Sequence, residues 1–432
     1  MNPFYLFYNM KIGVVDLIAP SAAVVPLDAD RISMHLGGAS MNRSLLQEYG
    51  DALVFGSGPL TGSFAPASSL MVATFQSPLF ERICHVPFML RTGPDMKFSG
   101  IDFLVIRGTA PELSVLYVNK GIIRVIPAEH LRNLSVSDVV TALKRESLPV
   151  RSAIVTGPAA DREIPHAAAS VGVTGSLDKA SLASRMAAKN LKGIVFAATG
   201  GLAFRKDHPD IGKALIQRIS SGQHDKSGGF ASVVKSLDGG KEAVQPLRGL
   251  KTKQMACYHC PAPCMSYVTF ARQEPSLLLL DHSGWIALFQ KMGKHIFPVL
   301  QSCLQGGLDP AGVARTLPEG GSITEWLLHL EKMLPEAGKD GISIKHPDLS
   351  DVPVKNHVLF GGGIPTILPG DAWGKRVGIA MILGVCPIFL LRFPQITDTD
   401  LLRFISQDEV ALSTLQEKLT SSINAVAAHG QH

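Results

Sequence analysis

Short runs of β-branched and aliphatic residues dominate the first 205 positions of the chain. Such runs, bounded by turn residues, are typical of strands. They occur at 12–18, 53–55, 71–75, 103–106, 115–118, 122–126, 153–155 and 194–197. Asn119, Lys120 and Gly121 separate two of the runs and predict a hairpin turn. Apolar positions with a helical period predict helices at 41–49, 137–145 and 180–190.

Beyond residue 205 the apolar spacing becomes mainly helical. Helices are predicted at 211–220, 231–237, 285–303, 323–332 and 409–427, with Pro- and Gly-rich connections between them. Strands first and helices afterwards favour an α+β fold over a doubly wound α/β sheet. We therefore expect a β-rich domain with two sheets at residues 1–205 and a mainly helical region at 206–432.

Composition and charge narrow the choice of function. The chain has 432 residues, of which 46% are apolar and 18% charged, which is typical of a globular protein with two or three domains. Its net charge is only +5, and no basic run is long enough to indicate binding to nucleic acid or to a membrane surface. The segment Met1–Met10 is apolar but lacks the basic region and cleavage site of a signal peptide. A cytoplasmic location is expected.

Three of the 6 cysteines lie close together in the sequence. Cys257, Cys260 and Cys264 form a C-x2-C-x3-C motif, and Pro261 and Pro263 stiffen the loop between them. Short spacings of this kind let one tight loop present several thiolates while its backbone N–H groups point at the sulfurs. A chain without a secretion signal is unlike the small secreted proteins that depend on disulfides. The motif therefore predicts one [4Fe–4S] cluster.

The fourth cluster ligand must come from a distant part of the chain. Cys386 lies in a turn bounded by Gly384 and Pro387 and is the better candidate. Cys303 falls in a predicted helix and Cys84 in the strand-rich part, where each is expected to pack as a small apolar residue.

The cysteine motif is also compatible with two alternatives to a cluster. A structural zinc ion could be bound by the same cysteines together with His259, because C-x2-C spacing also suits zinc. Alternatively, the cysteines are unligated thiols of the core.

Several further stretches follow one another in a recognisable order. They include KIGVVDL at 11–17, FGSGPLTG at 55–62, QSPL at 76–79, RTGPDMKFSGID at 91–102, TGPA at 156–159, KNLK at 189–192 and LGVC at 383–386. Together with the cysteine loop, this order resembles the aldehyde ferredoxin oxidoreductase family of tungsten- or molybdenum-pterin enzymes. The resemblance covers most of residues 11–310 and returns around Cys386.

The resemblance implies a fold, a reaction and cofactors. In this family two N-terminal β-sheets cradle a tungsten or molybdenum bis-pterin, and two mainly helical domains follow. An aldehyde and water become a carboxylic acid, and electrons pass through one [4Fe–4S] cluster to ferredoxin or another electron-transfer protein.

The same resemblance assigns roles to particular residues. It implies that four cysteines bind the cluster, namely Cys257, Cys260, Cys264 and Cys386. It implies pterin contacts by Gly56, Gly58, Gly62, Lys179 and Asp309. Glu274 corresponds to an acidic residue near the metal and is a candidate general base, although a solvated loop carboxylate beside Pro275 is the competing interpretation. For His282 and His357, surface or helix-end positions are the default.

The sequence also departs from the family pattern at pterin contacts. No Arg is present in Ala67–Leu70, and a Gly-Arg-Gly-Gly stretch reads Asp178–Ser181 here. Leu304 and Met381 stand where the family has Asp, and neither can accept a hydrogen bond from a pterin ring. If a pterin is bound, the glycine-rich backbone at 56–62 is expected to hold its phosphates instead.

Two main functions therefore stay open. The chain is either a shortened aldehyde oxidoreductase, or an electron-transfer or scaffold subunit that keeps the cluster without the pterin. In the second case it would act beside a catalytic paralogue or within a homo-oligomer. A zinc-stapled binding protein is the third hypothesis.

Overall fold

The structure, a computed structural model, describes residues 6–145, 149–175, 177–204, 206–221, 228–269, 277–317, 320–333 and 370–427. Two β-sheets occupy the part before residue 205, and mainly helices follow, which confirms the predicted α+β class. Glu274 and His357 lie outside the described residues. Among the helices within those ranges, none is long and apolar enough to cross a membrane.

The first sheet has six strands and carries the glycine-rich stretch. Its strands are β1 (Lys11–Asp16), β2 (Ser21–Pro26), β3 (Ala52–Ser57), β4 (Met71–Gln76), β5 (Ile83–Phe88) and β6 (Phe103–Arg107). Their order is β2-β1-β6-β3-β4-β5, and only the β1–β6 pair is parallel among these neighbours. Strand β3 is buried along its whole length, so the chain leaves it directly into the molecular interior.

The second sheet has five strands. They are β7 (Ser114–Asn119), β8 (Ile122–Pro127), β9 (Ser152–Val155), β10 (Ser170–Val171) and β11 (Leu191–Phe196), in the order β10-β9-β11-β7-β8. The predicted hairpin turn is confirmed between β7 and β8. Lys120 and Gly121 both have positive φ there, as tight two-residue hairpins require.

A third sheet lies in the region that was predicted to be mainly helical. It contains β12 (Lys251–Met255), β13 (Met265–Thr269) and β14 (Leu277–Leu279), all antiparallel. Strand β12 reads KTKQM and is largely exposed, so it has no apolar run from which a strand could be predicted. The cysteine loop joins β12 to β13, and the sheet therefore fixes both ends of that loop.

The described residues also form α-helices, which are joined to the strands and to one another by loops and turns. Before residue 205 they are α1 (Ala29–His35), α2 (Gly38–Tyr49), α3 (Thr92–Phe98), α4 (Val136–Arg145), α5 (Pro158–Asp161) and α6 (Leu182–Ala187). After it they are α7 (His208–Ser221), α8 (Gly229–Lys235), α9 (Gly240–Ala243), α10 (His282–Met292), α11 (Ile296–Gly306), α12 (Pro310–Thr316), α13 (Ile323–Met333), α14 (Gly370–Leu383), α15 (Pro387–Arg392), α16 (Asp398–Leu402) and α17 (Glu409–Ala427).

The single helix predicted at 285–303 is wrong. Two helices, α10 and α11, occupy this stretch, and the first ends at Gly293. Gly293 has a φ of 56° and donates its N–H to Phe289 O, a common way for glycine to end a helix. Apolar periodicity continues across the break and hides it in the sequence.

The C-terminal helices dock on the loop that follows β3 through backbone contacts. Leu60 N donates to Leu383 O at 2.9 Å, and Leu70 N donates to Gly384 O at 3.3 Å. A Cβ atom on Gly58 would lie 2.1 Å from the carbonyl carbon of Leu383. Glycine at position 58 is therefore required by the close approach of these two segments.

A buried lysine holds the same loop from the opposite side. Lys97 Nζ donates to Phe7 O at 2.6 Å, to Gly58 O at 2.8 Å and to Pro59 O at 3.3 Å. Burial lowers the pKa of Lys97 to about 7, and nearby Asp102 opposes this shift. The loop after β3 is therefore fixed between α3 and the end of α14.

We expect Gly58→Ala to weaken this contact, because the atoms that its Cβ would meet belong to the backbone. The predicted loss is about 1–3 kcal/mol in the free energy of unfolding, the usual range for overpacking. Gly374→Ala in α14 is the matched control, since a Cβ there meets nothing within 4 Å. Urea unfolding of both variants checks the prediction, which fails if Gly58→Ala unfolds at the same urea concentration as Gly374→Ala.

Candidate metal centre and cofactor-binding residues

The fold brings together four of the six cysteines. Cys257, Cys260 and Cys264 lie on the β12–β13 loop, and Cys386 is the N-cap residue of α15. Burial, and then the neighbouring sulfurs of the other three cysteines, raise the pKa of Cys264 well above its ordinary value. The four thiols therefore lie within electrostatic reach of one another, although their loops come from distant parts of the sequence.

The remaining two cysteines pack as the sequence indicates. Cys303 is completely buried in α11, and Cys84 is buried in β5. Burial raises the pKa of Cys84 to about 12, and the charge of nearby Arg82 opposes this shift.

The four central cysteines are free thiols and are not arranged as a closed metal site. Within the described ranges, no group of three or more His, Cys, Asp or Glu side chains is placed to hold a metal ion. Cys386 Sγ instead lies 3.3 Å from Met89 Sδ. Burial, with a contribution from Cys260, raises the pKa of Cys257 to about 12, so this thiol stays protonated at neutral pH in the metal-free protein.

One residue, Ala67, links the two cysteine segments through its N–H and its C=O. Ala67 N donates to His259 O at 2.8 Å, and Cys386 N donates to Ala67 O at 2.9 Å. Ala67 adopts a φ of 57°, a left-handed conformation that costs a residue with a Cβ about 1–2 kcal/mol. The surrounding contacts therefore hold this strained residue in place, and it sets the distance between the cysteine loop and Cys386.

Donors and a cation surround the sulfurs. Leu90 N donates to Cys257 Sγ at 3.3 Å, and the first amides of α15 point at Cys386 and oppose the rise in its pKa. Arg392 donates to Pro263 O at 3.1 Å and lowers the pKa of Cys260 and Cys264 by its charge. Backbone N–H groups and positive charge around clustered thiols are the environment that an iron–sulfur cluster uses. The amides and the charge suit such a cluster, whereas the four thiols of the described residues are not themselves arranged around a metal position.

The residues assigned to the pterin have a different environment. Lys179 forms buried ion pairs with both Asp281 and Asp309. Burial opposes the charge on Lys179, but the two carboxylates outweigh it and raise its pKa. Both carboxylates also cap helices, since Asp281 accepts from Gly284 N and Asp309 from the first amides of α12. Lys179 and Asp309 thus come together as predicted site residues, but they bind each other.

Asp281 was missed by the sequence analysis. It lies about a hundred residues from Lys179 in the chain, and no local motif marks it. The three charges sum to −1 in a buried place. An added negative charge 4 Å from a carboxylate costs about 4 kcal/mol at an effective dielectric constant of about 20. The triad therefore disfavours an anionic phosphate.

The glycine-rich loop has already used its backbone donors. Every backbone N–H of residues 57–63 donates within the protein, at 2.8–3.2 Å. The bonds are Ser57 N to Asp102 O, Gly58 N to Thr61 Oγ1, Leu60 N to Leu383 O, Thr61 N to Gly58 O, Gly62 N to Ser68 O and Ser63 N to Leu60 O. Pro59 has no N–H. A phosphate cradle needs several amides directed at the ligand, and residues 57–63 have none left for it.

The space beside these residues is small. A cleft lined by Asp281, Asp309 and Leu304 has a cavity volume of only about 20 Å³. Pockets that hold one drug-sized ligand have volumes of roughly 300–1,000 Å³, and two pterins with a metal need more than one such pocket. The described residues do not fit a bis-pterin.

His282 connects the ion triad to the cysteine loop. It is the first residue of α10, as the helix-end default predicts, but it is buried. Its ring stacks on Phe230 with centroids 4.7 Å apart, and Nε2 donates to Cys264 O at 2.8 Å. Burial lowers the pKa of His282 to about 4, so the ring is neutral at pH 7. His282 positions the carbonyl of a cysteine and touches no solvent.

Comparisons with known proteins agree with this architecture. Residues 12–198 match the family described as aldehyde ferredoxin oxidoreductase, N-terminal domain. Over 144 residues the chain is 30% identical to the tungsten-containing aldehyde ferredoxin oxidoreductase of Pyrococcus abyssi and 28% identical to that of Pyrococcus furiosus. The N-terminal part of the chain is therefore similar to the N-terminal domain of aldehyde ferredoxin oxidoreductases.

The likeness to these family members is partial. Each match covers 33% of this chain and 24% of the relative, so the chain matches about a quarter of the length of the curated relatives. A solved structure, the active site complex BamBC of benzoyl coenzyme A reductase with 1,5 dienoyl-CoA, has a related fold with a TM-score of 0.62 and 16% identity. The superposition covers 76% of this chain and 60% of that one. That neighbour is a component of a complex.

We expect Ala67→Pro to separate the two cysteine segments, because proline has no N–H and cannot adopt a φ of 57°. Ala67→Gly keeps the donor and removes the strain, and it is the matched control. In the metal-free protein, Cys386 should react with iodoacetamide about tenfold faster or more in Ala67→Pro than in Ala67→Gly, since a lost hydrogen bond and strain together exceed 1.4 kcal/mol. Equal labelling rates, measured by peptide mass spectrometry, would contradict the role given to Ala67.

Proposed function

We propose that this chain is an iron–sulfur electron-transfer protein of its family, with one [4Fe–4S] cluster bound by Cys257, Cys260, Cys264 and Cys386. The observation that carries the proposal is the convergence of four thiols from two distant segments, while Cys84 and Cys303 stay apart. Four thiolates are the usual ligand set of a cubane cluster. When bound, such a cluster accepts and releases one electron at a time.

The proposal for the reaction that supplies the electrons rests on the names of the curated relatives. The curated relatives are named aldehyde ferredoxin oxidoreductases. Conversion of an aldehyde and water to a carboxylic acid releases two electrons and two protons. We infer that this chain passes such electrons singly to a ferredoxin or a similar acceptor, with tungsten or molybdenum chemistry as the source.

The residues of the cysteine loop define where electrons can leave. Cys260 is half-buried, whereas the other three cysteines are buried. His259 and Pro261 on either side of it are exposed. An electron acceptor that docks on His259 and Pro261 can approach Cys260 without any rearrangement of the protein. Arg392, beside the same sulfurs, adds positive charge that favours the reduced form.

A zinc site is less well supported by the local geometry. His259 is exposed, and its ring packs edge-on against Phe64 with centroids 5.9 Å apart. Its backbone carbonyl accepts from Ala67 N, which fixes the loop at this residue. The buried thiol of Cys386 therefore supplies the fourth donor better than His259 does.

Anaerobic purification followed by iron, zinc and sulfide analysis tests the proposal. We expect about four irons and four sulfides per chain and an electron paramagnetic resonance signal on reduction. Alanine substitution of Cys257, Cys264 or Cys386 should remove most of this iron and signal. Cys84→Ala and Cys303→Ala are matched controls, because these buried cysteines lie apart from the four and should cost stability without loss of iron.

Two outcomes would contradict the proposal. One zinc per chain without iron would make the cysteines a structural zinc site. Iron that survives Cys386→Ala but is lost in Cys303→Ala would make Cys303 the fourth ligand in place of Cys386.

A further inference from the structure

We infer that this chain has closed the family's pterin site with its own residues and binds no tungsten or molybdenum pterin. The oxidation of the organic substrate would then take place on a partner chain, and this chain would receive its electrons. Three features of the described residues carry the inference: the charge of the triad, the contacts of the glycine-rich loop with other backbone, and the apolar packing at the end of α14.

The charge of the triad is the first feature. The resemblance to the family assigns Lys179 and Asp309 to the pterin, yet each is buried and paired within the protein. Asp281 adds a second carboxylate to the single ammonium group. A pterin phosphate would have to break these ion pairs and would bring further negative charge into a buried site that is already net negative. Nothing in this group of three residues is left to attract an anion.

The glycine-rich loop is the second feature. Glycines in such loops serve either to let a phosphate approach the backbone or to let another backbone approach it. Here Gly58 faces the carbonyl carbon of Leu383. A Cβ atom added to Gly384 would lie only 2.0 Å from Thr61 Oγ1. Hydrogen bonds from Leu60 and Leu70 to the end of α14 complete the contact. The loop therefore binds protein where a ligand would need it free.

The substitutions at the end of α14 agree with the packing. Met381 stands where the family has Asp, and it is buried together with the neighbouring Ile382 and Leu383. Met381 O lies 1.8 Å from the position of a Cβ on Gly38, so α14 also meets the start of α2 backbone to backbone. An apolar helix end packed on two glycine positions fills the space rather than lining a cavity.

Metal analysis of the protein purified anaerobically from its own host is the decisive experiment. We expect tungsten and molybdenum each below about 0.1 per chain, with no pterin fluorescence after acid extraction and oxidation. Tungsten or molybdenum near one per chain, with extractable pterin, would overturn the inference. Iron is measured in the same samples. Iron without tungsten or molybdenum supports both proposals, and iron with either metal overturns only this one. Absence of iron overturns the electron-transfer proposal and the electron-receiving role that rests on it, and leaves the closed pterin site to be judged by tungsten, molybdenum and pterin.

Inorganic pyrophosphate provides a second measurement that does not depend on metal loading in the cell. The wild-type protein should show no rise in Tm at millimolar pyrophosphate beyond that given by sodium chloride at equal ionic strength. A rise of several degrees that pyrophosphate alone produces would contradict a closed site.

The double variant Asp281→Asn with Asp309→Asn is the matched comparison. Asparagine keeps one cap bond at each helix, because its single side-chain oxygen can accept from Gly284 N at position 281 and from Gly312 N at position 309. The change leaves Lys179 as an unpaired buried cation. We expect pyrophosphate to raise the Tm of this variant and not that of the wild type. Absence of any rise in the folded variant would overturn the claim that charge closes the site.

Discussion

The hydrogen bonds on either side of Ala67 are the constraint on which the cysteine site depends. Its N–H holds the loop of Cys257, Cys260 and Cys264, and its carbonyl holds the segment of Cys386. The groups that hold the loop containing Ala67 therefore also hold the cysteine site. They are the ammonium of Lys97, which donates to Gly58 O, and the end of α14, which packs against Gly58. The N-terminal sheet acts as the frame, although all four cysteines belong to the later part of the chain.

The sequence predicts much of the N-terminal fold because its strands are apolar and β-branched. It does not predict β12, whose polar residues pair with β13 but bury little. It also joins α10 to α11, since apolar spacing continues through Gly293. Residue propensity and apolar period report only local preferences. Strand β12 depends instead on its pairing with β13, and the break between α10 and α11 depends on the φ angle of Gly293.

The candidate site also has one part that the sequence predicts and one part that it does not. The cysteine motif has a local spacing that indicates its chemistry, and Cys386 is bounded by Gly384 and Pro387. The ion triad has no such signature, because Lys179, Asp281 and Asp309 meet only through the fold. The glycine at position 58 does not identify its role from the sequence alone, because a phosphate cradle and a close backbone contact both require glycine there. Only the neighbouring atoms distinguish a binding loop from a packing loop.

The separation of Cys386 from the other three cysteines has a consequence for biosynthesis. Cys386 leaves the ribosome about 120 residues after Cys264, which is several seconds to tens of seconds later at ordinary elongation rates. Its amide can bond to Ala67 only when α14 has reached the N-terminal sheet, a contact between very distant positions. Such contacts form late because loop closure comes first. A nascent chain therefore exposes three thiols before the fourth has been synthesised, and the four-cysteine site can be completed only after α14 has docked.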